Sequence, residues 1–151
     1  MQIDLWSFAN TLYAMQNTEQ RCLWAQAQGA NVCLILCALW LEWRASAFDP
    51  ILAAKLIEHA KSEEHLVLGP LRALRTQWKT EAQHNDALQK LRESVKRLEL
   101  EAEKNLLQRL EDLCCATQAG KPNFQWLKKL SSPVTWKAQE LRHWQQLLLT
   151  V

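Results

Sequence analysis

Apolar residues recur every three or four positions along most of this chain, and that period predicts helices almost throughout. Leu5, Phe8, Leu12 and Met15 share a face behind Asp4, a good N-cap, predicting a first helix to about Met15. Thr18 opens a second helix to about Gln28, which Gly29 ends because glycine accepts a left-handed backbone. Asn31 caps a third helix to about Arg44. It is apolar nearly all round from Val32 to Leu41, so it belongs in the interior with neighbours on several sides. Asp49-Pro50 starts a fourth helix that turns Leu52, Leu56, Ile57 and Ala60 inward. That helix continues through a kink near Gly69-Pro70 and ends near Lys79, before a polar turn at 81–86.

The clearest element is a long amphipathic helix over about residues 86–117. Leu88, Leu91, Val95, Leu98 and Ala102 trace a heptad seam, and Leu106, Leu110 and Leu113 continue it with a drift. A drifting stripe belongs to a straight helix in a bundle, not to a free coiled coil. Gly120-Lys121-Pro122 ends it, a short helical turn follows at Phe124–Leu130, and a last helix runs from about Ser132 to Leu149. The expected fold is all-α: one domain over residues 1–151, a bundle of about six to seven helices with a kink near Pro70.

Composition agrees. In 151 residues only three glycines and four prolines leave little material for turns, and 48% hydrophobic with 23% charged residues is a globular balance. The longest apolar run, Val32–Leu41, is about half of what a membrane span needs, so no span is expected. The start of the chain has no basic segment leading into an apolar core, so no signal peptide is expected. Five cysteines without a secretory signal suggest reduced thiols and a cytoplasmic location.

Candidate chemistry is sparse. Cys33 and Cys37 share a helical face but lack two further ligands, and Cys114 and Cys115 point about 100° apart. Core packing is favoured for all four, with no metal and no cofactor expected. The histidines, 59, 65, 84 and 143, form no metal-binding spacing, and His65 beside Glu63 and Glu64 reads first as a solvated face. Arg72, Arg75 and Lys79 recur at i, i+3, i+7, with Trp78 beside them, and form the best candidate binding site. Glu99, Glu101 and Glu103 on the long helix are candidate partners for these cations. Near the C-terminus Trp126, Trp136 and Trp144 alternate with Lys128, Lys129, Lys137 and Arg142, a possible basic surface for nucleic acid. An amphipathic helix with its aromatic side inward gives the same pattern and is favoured, since a net charge of +2 carries little weight alone.

Four segments together resemble a proteobacterial family of conserved hypothetical, all-helical proteins that carries only a domain-of-unknown-function label. They are Leu5-Trp6-Ser7-Phe8 with Tyr13, Asn31-Val32 leading to Leu39-Trp40-Leu41, Pro70-Leu71-Arg72-Ala73-Leu74-Arg75, and Val95 through Glu103. The resemblance spans roughly residues 5–112 and is loose beyond 113. The turn Gln16-Asn17-Thr18 departs from it, standing where a proline or glycine is expected. The resemblance implies a Gram-negative origin, an intracellular protein and no assigned activity, and it supplies no catalytic residues.

Without a chemistry-bearing motif, the leading expectation is a non-enzymatic interaction or adaptor protein that docks a protein partner. The alternatives are a small apolar or phosphorylated ligand held between helices, and RNA or ribosome association through the basic C-terminal end. A deep pocket bordered by Arg72 or Arg75 would favour the ligand, and one large apolar patch the protein partner.

Overall fold

The computed structural model describes residues 3–151. Its helices are α1 Leu5–Tyr13, α2 Thr18–Ala27, α3 Val32–Trp43, α4 Pro50–Glu63, α5 Gly69–Gln77, α6 Lys79–Ala82, α7 Asp86–Leu113, α8 Gln125–Leu130 and α9 Ala138–Leu148. A π-helical turn, Glu64–Leu68, joins α4 to α5 in one rod over 28 residues. Counting that rod once, there are eight helices among the described residues, six of them seven residues or longer, and no strands.

The sequence-predicted caps do the work expected of them. Asp4 accepts a hydrogen bond from the Ser7 amide at 2.7 Å, Asn31 from Leu34 at 3.1 Å, and Asp49 from Ile51 at 2.9 Å. Asn85 caps α7 through the Leu88 amide at 3.1 Å. Every residue of α3 from Cys33 to Glu42 is buried. Its neighbours are α1, α2, α4, α7 and α8, so the core lies around this one helix. Two carboxylates tie distant parts of the chain together. Glu111 of α7 accepts the Leu5 amide at 2.7 Å, and buried Glu42 of α3 accepts the amides of Phe124 and Trp126 where α8 begins. Burial raises the Glu42 carboxyl above its ordinary value, and these backbone donors oppose the shift.

The disturbance expected at Pro70 falls one turn earlier, as the π turn, and leaves the rod continuous. Gly69 donates its N–H to the Glu64 carbonyl five residues back, and this wider turn absorbs a proline ring that would clash inside a regular α-helix. A Cβ at position 69 would lie 2.7 Å from that same carbonyl oxygen.

Several expected details change. On α7, Leu91 and Leu98 are exposed, while Glu99 is buried and Arg92 half-buried. The inward row 92, 95, 99, 102 and 106 keeps the three-four spacing but takes Arg92 and Glu99 in place of Leu91 and Leu98, one position further along. The helix also stops at Leu113, short of 117, because the next residues turn back to pair with the chain after α3. Ala47 donates to Gln118 O and Gly120 to Ala45 O, each at 2.7 Å, and only a residue without a side chain fits at 120, where a Cβ would meet Ala47 Cα at 2.6 Å. The last helix begins at Ala138, not near Ser132, since residues 131–133 form a turn and residues 134–137, without regular structure, deliver Val134 and Trp136 to the core. Cys115 is exposed rather than packed inside, whereas Cys22, Cys33, Cys37 and Cys114 are buried.

Gly69→Ala tests the π turn. In an ordinary helix this change stabilises by about 0.5–1 kcal/mol. Here the added methyl meets the Glu64 carbonyl, so a loss of about 1–3 kcal/mol is expected in urea unfolding.

Candidate functional site

A pocket of about 450 Å³ opens between the N-terminal helices and the α5–α7 pair. Its floor is apolar: Ala30, Val32, Cys33 and Leu36 come from the start of α3 and the turn before it, with Leu68 and Leu107 beside them. Helix α1 contributes Trp6, Ala9, Asn10 and Tyr13, and α2 contributes Leu23 and Gln26. The opposite wall is charged. Glu64, Arg72 and Arg75 stand on the rod formed by α4, the π turn and α5, and Glu99 and Glu103 answer them from α7.

The π turn makes that wall. Residues eight apart on a regular α-helix point about 80° apart. The extra residue in the turn closes that angle, and Arg72 Nη1 lies 2.6 Å from Glu64 Oε1. Arg75 Nε lies 2.6 Å from Glu99 Oε2, with the Glu99 side chain only 10% exposed. Arg92 donates to the Arg75 carbonyl at 3.0 Å, which fixes α5 against α7.

Two pairs therefore use two of the three acids. Among the described residues Glu103 has no hydrogen-bond or ion-pair partner. Burial raises its carboxyl above the ordinary value; Arg72 opposes this and Glu99 adds to it, with smaller opposed effects from Arg75 and Glu64. Across the pocket the Tyr13 hydroxyl is pushed up to about 12, mainly by burial, with Cys22, Glu19 and Glu103 adding to it. It stays a neutral donor and acceptor at physiological pH. The Cys33 thiol is also raised, by burial above all, and is a poor nucleophile. Cys37 is held up by its hydrogen bond with Cys114 and by burial, so it too stays a protonated thiol in the core.

Of the residues singled out in the sequence, Arg72 and Arg75 border the pocket. Trp78 and Lys79 lie beyond the end of α5 and do not; Trp78 is half-buried and Lys79 exposed. Of the acids on the long helix, Glu99 and Glu103 reach the wall and Glu101 faces solvent. Lys128, Lys129, Lys137 and Arg142 are exposed, but Trp126, Trp136 and Trp144 are buried and offer no face for stacking. Sequence reasoning passed over Trp6, Asn10, Tyr13 and Glu64. The first three share a face of α1 on the side opposite expected core positions, and Glu64 joins the site only through the π turn.

Among the described residues no group of three or more His, Cys, Asp or Glu side chains is placed to hold a metal ion. No helix among them is long and apolar enough to cross a membrane.

A family model described as "Protein of unknown function (DUF2390)" matches residues 4–110, and the chain belongs to that family. Every residue lining the pocket lies inside the matched span, whereas α8 and α9 lie outside it. No curated protein and no solved structure matches the chain.

Glu103→Gln tests the unpartnered acid. Its pKa is raised on folding, so folding disfavours the ionised form; stability is full below the unfolded value and is lost as pH rises through the folded one. The variant should melt higher than the native protein at neutral pH. The difference should vanish once the solution is acidified below the ordinary carboxylate range, as thermal melts across pH will show.

Proposed function

We propose that this protein binds a small organic molecule in the pocket bordered by Arg72 and Arg75. One observation carries the reading: an apolar floor and a charged wall converge on about 450 Å³ of space between helices. Ligand sites of this kind measure about 300–1,000 Å³ and join mainly apolar linings to a few polar groups that fix orientation. The reading is one of binding rather than covalent turnover. The thiol at the floor, Cys33, is held protonated by burial.

A protein-docking role is the second reading, favoured by Leu91 and Leu98. They are 56% and 50% exposed on one side of α7, away from the pocket. They are separate leucines flanked by charges, a weaker argument than the pocket. Failure of native lysate to give a stoichiometric partner that Leu91→Lys with Leu98→Lys abolishes would remove this reading. Association with RNA through Lys128 and Lys129 has less support, because the neighbouring rings are turned into the core.

Val32→Trp, at the half-buried start of α3, should fill the pocket. With 2-phenylethanol as a neutral probe, ligand-detected NMR should show binding to the native chain and at least about tenfold weaker binding to the variant. No binding to the native chain, or equal binding to both, would count against a ligand pocket.

A further inference from the structure

We propose that the ligand of this pocket is an organic cation, an amine with an apolar or aromatic body, whose ammonium group sits against Glu103. The proposal rests on the pocket reading above and adds the charge of what fills it.

The wall carries two guanidinium groups, Arg72 and Arg75, and three carboxylates, Glu64, Glu99 and Glu103. Each arginine already holds one carboxylate at 2.6 Å. Glu103 is left over. It is half-buried and stands at the pocket edge, and the nearest lysine in sequence does not reach it. Lys104 instead lies over the Trp6 ring, 5.2 Å from its centroid.

A half-buried carboxylate without a protein partner is partly stripped of water, and a donor that carries positive charge offsets that cost most fully. An ammonium group has three N–H donors. Glu103 can take one, and Tyr13 and Asn10, which border the same space, offer further oxygen acceptors. The Trp6 and Tyr13 rings line the same space, and an aromatic ring attracts a cation; Lys104 already lies over Trp6, which leaves Tyr13 as the ring without one among the described residues. The floor of Val32, Cys33, Leu36 and Leu107 accepts the hydrocarbon part.

The same count argues against a phosphorylated ligand. Arg72 and Arg75 keep free N–H groups, but a phosphate there would lie beside three carboxylates and would raise the local negative charge. A cation instead offsets the one carboxylate of the wall that no arginine holds.

The test compares matched probes on the full chain by calorimetry at neutral pH: 2-phenylethylamine, 2-phenylethanol, 3-phenylpropanoate and phenyl phosphate. The amine should bind at least about tenfold tighter than the alcohol, with both anions weaker still. Glu103→Gln should reduce the amine to the affinity of the alcohol and leave the alcohol unchanged. An anion that binds more tightly than the amine overturns the proposal, as does an amine preference that survives Glu103→Gln. Equal binding of amine and alcohol, both abolished by Val32→Trp, overturns the cation while the pocket stands. No binding by any of the four removes both.

Discussion

A helix with no polar face cannot lie at the edge of a protein, and the rest of this structure follows from accommodating α3. Ten consecutive buried residues, Cys33 through Glu42, need neighbours in every direction. The chain supplies them by wrapping α1, α2, α4, α7 and α8 around one axis. Even the one charge on this stretch is put to use. Glu42 could not be left unpaired in such surroundings, and it accepts two backbone amides where α8 begins. The wrapping is incomplete at the start of α3. There Val32, Cys33 and Leu36 face a gap between α1 and the α5–α7 pair, and that gap is the pocket.

The second constraint is the π turn. Without it, Leu68, Arg72 and Arg75 would leave the line that Ala53, Leu56 and Ala60 begin, and the buried face of the rod would spiral away from α7. One extra residue restores the phase. The cost is a seam between α5 and α7 that carries two guanidinium groups where a bundle usually places leucine. Helix α7 answers with Glu99 and Glu103 in the inward positions, and its spare leucines, Leu91 and Leu98, turn to solvent. Arginines on α5 and exposed leucines on α7 are thus two sides of one rotation.

Much of this was legible beforehand because it rests on local chemistry. Caps at Asp4, Asn31 and Asp49, the all-round apolar third helix and the Arg72/Arg75 spacing each depend on residues within one or two turns of each other. What escaped depends on partners far along the chain. Glu99 is among the acids that the sequence offers as partners for the α5 cations, but the leucine heptad gives no sign that meeting Arg75, 24 residues earlier, turns Glu99 inward and Leu98 to solvent. Glu64 escaped because an α-helical reading places it off the face of Arg72. The end of α7 was set too late since residues 118–120 pair with 45–47, a contact across more than 70 positions with no local signature.

The tryptophans divide the molecule in two. Helix α8 closes over α3 and α4, where Trp126 packs edge-on to Phe48 and donates to the Ser46 carbonyl. Beyond it Trp136 lies between Trp24 and Trp144 and donates to Ser131 Oγ at 2.7 Å. With those rings committed to the core, the lysines and arginine between them must face outward, because a short amphipathic helix has nowhere else to put them. The basic character of this end is therefore the complement of its aromatic packing and needs no ligand to explain it. The charged groups of the pocket wall differ in kind. They are drawn inward against the usual preference of arginine and glutamate for solvent. One of them, Glu103, finds no partner among the described residues.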